Sequence, residues 1–189
     1  MKAVVYAEFG PPGVLKLKDV EKPTPKESEI LIKVHATSVN FGDLIARDFA
    51  HTSPRTFNMP ALFWLLARIS FGLNKPKIEI LGNEFAGVIE ETGKDVTRFN
   101  AGDQVFGYRG QSMGVYAEYL CMPEDGVVAI KPANTSFEEA APIPSGAMTA
   151  LAVLEAADLQ AGHRVLINGA SGGIGSHVVQ LAKSQYGAE

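Results

Sequence analysis

At 189 residues the chain suits one large domain or two small ones. An apolar share of 46% and a charged share of 20% describe a globular protein that buries a core, and a net charge of −4 leaves no basic footprint for nucleic acid. The single cysteine, Cys121, excludes an intramolecular disulfide and a cysteine-rich zinc lobe.

The first nine residues lack the basic-then-apolar pattern of a secretory leader. Lys2–Tyr6 reads as a strand, Phe9–Gly13 as a turn and Val14–Val20 as a second, alternating strand. A breaker-rich loop, Glu21–Ser28, precedes a strong strand over Glu29–Ser38, with Ile30, Ile32 and Val34 on one face. Phe41–Arg47 reads as a short helix. Met59–Leu73 is the most apolar stretch; it falls short of the about 20 residues that span a bilayer, and Arg68 interrupts it. It is expected to form a helix packed on its own domain through Phe63, Trp64 and Leu66. A lid over a pocket, or a surface for lipid or a partner, is the alternative.

Four further strands are expected, at Phe85–Glu91, Gln104–Tyr108, Val115–Met122 and Val127–Lys131. Many short strands with Gly/Pro turns predict a barrel-like β domain over residues 1–131. Ser136 and Glu139 form a capping-box signature, so a helix starts at Phe137. Pro142 and Pro144 are expected to interrupt it, with a second helix over Ser145–Ala157.

Val165–Asn168 then reads as a buried strand entering the glycine turn Gly169–Gly175, with a helix over Ser176–Gln185. Ala170, Gly172 and Gly175 hold the i, i+2, i+5 spacing of a dinucleotide fingerprint. Small residues there let backbone N–H groups approach a pyrophosphate, and the helix N-terminus adds partial positive charge. The competing reading is a glycine-rich turn that holds no ligand. Asn168–Gly175 also resembles the glycine turn of short-chain dehydrogenases. That family needs Tyr-x-x-x-Lys, and no tyrosine here has a lysine four residues on.

Together these segments carry a specific resemblance. Met1–Tyr6, Phe9–Leu15, Val34–Asp43, Leu81–Ile89, Ala101–Gly107, Tyr116–Tyr119 and the fingerprint, in that order, resemble the medium-chain dehydrogenase/reductase superfamily. The chain looks most like its zinc-free quinone oxidoreductase branch, the zeta-crystallin-like proteins. The resemblance implies a GroES-like β-barrel domain over 1–131. The first strand-helix part of a Rossmann α/β domain follows over 132–189, and the active site lies in the cleft between the two domains.

Departures from the zinc-dependent branch are informative. Asn40-Phe-Gly-Asp43 stands where a cysteine ligand would open the segment, and Gly82-Asn83-Glu84 stands where Gly-His-Glu would supply a histidine. A catalytic zinc needs about three protein ligands, so no metal is expected. The resemblance implies NADPH, with NADH as the alternative, reducing a quinone, enone or carbonyl substrate. It gives Asn40 and Asp43 catalytic places; Tyr108, in the Gly107–Gly114 loop that either borders the cleft or forms only a flexible hairpin, is the further catalytic candidate, as a proton donor. Asn40, Thr149, Ala170, Ser171, Gly172, Gly173, Ile174 and Gly175 are given to the cofactor.

Structural roles compete at several of these positions. Asn40 is a favoured helix N-cap, and Asp43 suits the first turn of the same helix. Glu84 reads as a buried structural carboxylate, and Thr149 as a helix hydroxyl bonded to its own backbone. A zinc-free alcohol or carbonyl dehydrogenase is the near alternative, and a non-enzymatic GroES-like binding module the distant one. The expected setting is cytoplasmic, without membrane or nucleic acid, and a homodimer is left open. The chain stops where a second parallel strand should start, so it reads as a fragment with little activity of its own.

Overall fold

The structure, a computed structural model, describes residues 1–57 and 60–189. Among these, seven strands form two antiparallel sheets. Strands β1 (Lys2–Val5) and β2 (Lys16–Asp19) make a ribbon. Strands β3 (Glu29–Thr37), β4 (Glu84–Thr92), β5 (Gln104–Tyr108), β6 (Tyr119–Pro123) and β7 (Val127–Ile130) make the main sheet, in the order β6-β3-β4-β5-β7.

The edges of that sheet are consecutive in sequence. Pro123 and Val127 are four residues apart, a span of at most about 14 Å. Five flat strands would hold their edges about 19 Å apart. The sheet therefore curls on itself, as expected of a barrel-like domain. Its interior is apolar: Ile30, Ile32, Phe85, Ile89, Val105, Val115 and Leu120 are all buried in one cluster.

Several predicted elements match closely, including the helix α1 over Phe41–Arg47 and the strand over Gln104–Tyr108. Others shift. The second strand is shorter than expected because Pro12–Val14 forms a single 3₁₀ turn first. Val115–Glu118 stays irregular ahead of β6, touching β1 through an Ala3–Ala117 bridge.

The apolar stretch does form a helix, α2 (Ala61–Phe71), while Met59 lies outside the described residues. The expected packing fails. Phe63 is 61% exposed and Leu66 52%, and only Trp64 of the three is part-buried. The helix is held at its C-terminal end instead: the Arg68 guanidinium donates to the carbonyls of Ala50 and Leu73, and Phe71 stacks on Phe49 and packs on the cluster of Tyr6, Ala46, Leu81 and Met113. No described helix is long and apolar enough to cross a membrane.

The chain divides into two compact units, Met1–Ala141 and Pro142–Glu189. The first includes α3 (Phe137–Ala140), capped by Ser136 and Glu139 as the sequence predicts. Ala140 and Ala141 pack there on Ala86 of β4, and Phe137 stacks on His35 of β3.

In the second unit, α4 (Ile143–Ala156) begins earlier than expected. Pro144 does not interrupt it, because it lies in the first turn, where no N–H is needed. Helix α5 (Gly173–Ser184) packs on α4 through Ala150, Leu154, Val178 and Ala182.

Val165–Ile167 is not a strand. A parallel strand needs neighbours on its edges. This segment's backbone contact is to Glu189, whose N–H donates to the His163 carbonyl and whose carbonyl accepts from Val165. Leu166 is 96% exposed.

Candidate active site

The site is built where α1 meets the start of β4. Val39 leads out of β3, and Asn40 caps α1: its Oδ1 accepts from the Gly42 N–H at 3.0 Å, while Asp43 Oδ2 accepts from the Asn40 N–H at 3.0 Å. Asp43 is buried, and its second oxygen accepts from the Gly82 N–H at 3.0 Å. One carboxylate therefore fixes α1 on itself and ties it to the segment before β4.

That segment requires glycine. Gly82 has φ +87°, and a Cβ there would come within 2.4 Å of the Tyr116 ring. The Tyr116 hydroxyl donates to the Ser38 carbonyl at 3.3 Å. Burial first, and then the nearby Asp43 carboxylate, push its phenol well above the ordinary range, so it is neutral at physiological pH.

Asn83 and Glu84, both buried, face the cap. Asn40 Nδ2 donates to Asn83 Oδ1 at 2.7 Å and reaches Glu84 Oε2 at 3.4 Å. The Ser38 hydroxyl donates to the same Glu84 oxygen, and Thr37 Oγ1 donates to the Glu84 carbonyl at 2.7 Å. Residues 37–43 and 82–84 are thus sewn into one polar cluster. Its rim is apolar and open to water: Val39 is 73% exposed, Phe41 70% and Leu44 45%. A groove of about 500 Å³ shares Val39 and Tyr116 with the cluster and gives an apolar ligand room beside it.

Of the predicted catalytic residues, Asn40 and Asp43 are neighbours in this cluster. Tyr108 lies on the neighbouring strand, opposite Glu84 in the β4–β5 register. The structural alternatives for Asn40, Asp43 and Glu84 are all realised. Asn83 and Ser38 were missed as contributors. Asn83 was legible only as a missing histidine, and Ser38 carries no sequence signal beyond lying two residues before the cap.

The two positions that would carry zinc ligands hold amides bonded to each other. Among the described residues no three His, Cys, Asp or Glu side chains gather as a metal site would. Cys121 lies on β6, where burial pushes its thiol up to about 11, so it is a neutral thiol at pH 7.

In the second unit, Ala170 and Ser171 lie in the exposed turn ahead of α5. Gly172 caps the helix without a side-chain bond, leaving the first-turn N–H groups of Gly173, Ile174 and Gly175 without intrahelical partners. A Cβ on Gly175 would lie 2.1 Å from the Gly169 carbonyl oxygen, so turn and helix touch backbone to backbone. Uncapped donors at a glycine turn fit a dinucleotide's phosphates. Thr149 Oγ1 donates to the Ser145 carbonyl at 2.8 Å, as a helix hydroxyl does, and so can only accept from a ligand.

Comparison with known proteins places the chain in a family. The alcohol dehydrogenase GroES-like domain matches residues 26–132. The pig quinone oxidoreductase is 38% identical over 190 residues, covering 99% of this chain and 50% of that protein. The NADPH-dependent alkenal/one oxidoreductase of Arabidopsis thaliana chloroplasts is 32% identical, covering 100% of this chain and 46% of that protein. The solved quinone oxidoreductase of Coxiella burnetii superposes with a TM-score of 0.81 at 36% identity, covering all of this chain and 54% of that one. The chain spans about half the length of the relatives it matches.

Proposed function

The chain belongs to the alcohol dehydrogenase GroES-like family, in the quinone oxidoreductase-like branch of the medium-chain dehydrogenase/reductase superfamily. From that premise we propose that the protein carrying it reduces quinones, enones or similar activated carbonyl compounds with NADPH and without a catalytic metal. The observation that carries this reading is the Asn40–Asn83 amide pair, with apolar Val39 and Phe41 exposed beside it. Amides in place of a thiolate and an imidazole are poor zinc ligands. An apolar rim around a few polar groups suits a flat, largely apolar carbonyl compound.

NADPH supplies the reducing equivalent when bound. The N–H groups at Gly173–Gly175 would hold its pyrophosphate, with Ala170, Ser171 and Gly172 leaving room for close approach, and the Thr149 hydroxyl would accept from the carboxamide. Asn40 would face the nicotinamide. Asp43, both of whose oxygens accept from backbone N–H groups, acts by holding Asn40 and Gly82 in place. Tyr108, opposite Glu84 in the sheet, is the proposed source of the returning proton.

The test is NADPH oxidation with a small quinone and with an enone, on the full-length protein after elemental analysis. Turnover in metal-free protein is expected. No turnover with either substrate would sink the reading, and turnover that tracks added zinc would sink its metal-free part.

A further inference from the structure

We propose that Asn83 is a catalytic residue: its Nδ2 donates a hydrogen bond to the substrate's carbonyl oxygen as that oxygen gains negative charge. The inference rests on the reductase reading above and adds to it a residue that the sequence marks only as standing in place of a histidine.

A chain of obligatory donors fixes which way Asn83 points. The Gly42 N–H can only donate, and it meets the Asn40 side chain at 3.0 Å, so the atom it meets must be Oδ1. The other end of Asn40 is then Nδ2, which can only donate. It meets Asn83 at 2.7 Å and Glu84 Oε2 at 3.4 Å, which engages both of its hydrogens. Asn83 must therefore present Oδ1 to Asn40; a flipped amide would set donor against donor. Its Nδ2, with two hydrogens, is the end that faces away.

No described acceptor partners that nitrogen, although Asn83 is 7% exposed. Its backbone carbonyl is already engaged, accepting from the Arg109 N–H at 2.7 Å. Among the described residues the buried side-chain atoms without a partner are Trp64 Nε1 and Arg109 Nε, so Asn83 Nδ2 is reached by water, and a substrate oxygen can take that water's place. The space next to it is open because residue 42 is glycine. A Cβ at Gly42 would stand 3.9 Å from Asn83 Nδ2 and 3.1 Å from Asn40 Oδ1, over the amide pair. Val39 and Phe41, the chain neighbours of Asn40, are exposed.

In enone reduction the β-carbon receives a hydride from the reduced nicotinamide and a C–H bond forms there. The C=C pair moves toward the carbonyl carbon, and the C=O pair comes to rest on oxygen. A proton then returns to the carbon skeleton from Tyr108 or water, and the cofactor leaves oxidised. With no metal, the developing oxyanion needs preorganised N–H donors, and Asn83 is held rigidly enough to be one.

Substituted phenolates of graded basicity, which resemble the enolate oxygen, separate this role from a structural one. Asn83→Asp keeps an oxygen acceptor for Asn40 but removes the N–H donors. In the full-length wild-type protein, affinity should rise with phenolate basicity. In N83D that slope should flatten, binding of the most basic phenolate and enone kcat should each fall about a hundredfold, and the melting temperature should hold. Repulsion by the new carboxylate would lower all affinities alike and leave the slope. An unchanged slope in N83D, or a wild type that reduces enones yet binds phenolates without regard to basicity, overturns the inference. A wild type that reduces neither quinone nor enone overturns the underlying reading, and the inference with it.

Discussion

The two compact units make opposite use of the same kind of apolar segment. In Met1–Ala141, Ile30 and Ile32 of β3 and Phe85 of β4 are wholly buried, because antiparallel neighbours arrive within the same unit and the sheet curls over them. In Pro142–Glu189, Val165–Ile167 has equal apolar character, yet Leu166 stands 96% exposed, Ile167 is only part-buried, and the fully buried residues of the unit's small core all lie on α4 and α5. Antiparallel sheets complete themselves through short connections, whereas a parallel strand is buried only when neighbours and covering helices are all in place. The difference teaches that order in the first unit is intrinsic, and that order around the fingerprint depends on what lies against it.

Hydrogen exchange tests this contrast at its widest. Amides of β3 and β4 should exchange only by global opening, on the order of 5–15 kcal/mol for a domain, while Leu166 and Ile167 should exchange through local opening near zero. Comparable protection in both places would break the comparison.

Core truncation comes next in size. Phe85→Ala removes a fully buried ring and should cost about 3–5 kcal/mol in urea unfolding. Leu166→Ala removes a side chain that water already surrounds, and the same measurement should move little. A large loss at Leu166 would mean that the segment is covered in solution.

What was legible in the sequence follows the same divide. Alternation at Ile30, Ile32 and Val34 and the turn signals between strands marked the β domain, because each is a local consequence of one pleated surface facing a core. The capping residues at Asn40 and Ser136 were legible for the same reason: a cap acts within three residues. The failures are non-local. Whether Phe63 and Leu66 are covered depends on which surface α2 meets, and hydropathy is silent on that. Val165–Ile167 has a strand's composition, but pairing decides a strand. At the site, Asn40 and Asp43 stood out by motif. Asn83, 43 residues further on, joins them only through the fold.

Within the fingerprint, Gly175→Ala sharpens the comparison at one turn. The new methyl would press on the Gly169 carbonyl oxygen, which is backbone and cannot swing aside, and overpacking of this kind costs about 1–3 kcal/mol. Gly173→Ala meets nothing within 4 Å. NADPH affinity of the full-length protein, by fluorescence titration, should fall about tenfold or more for G175A and stay near wild type for G173A. Equal effects would show that the turn is not held as described.

The smallest effect is set by pH and belongs to the first unit. Tyr6 is buried beside Ala46, Leu81 and Met113, and its hydroxyl donates to the Ala46 carbonyl at 3.4 Å. Burial pushes its phenol up to about 12 from an ordinary 10.0. The sign follows from which state holds the proton. Below pH 10 both folded and unfolded chains keep it, and this group gives stability no pH dependence. Between pH 10 and 12 the unfolded chain releases it while the folded chain retains it, so stability falls as pH rises through that window. Tyr116, shifted in the same direction, adds to the loss. Chemical unfolding followed by near-ultraviolet circular dichroism should show this decline, and Tyr6→Phe should make it shallower at little cost near neutrality, since the hydroxyl's bond is long. A decline in Y6F as steep as in the wild type would place the alkaline sensitivity in other groups, and would separate the pH response of the β domain from the burial that closes it.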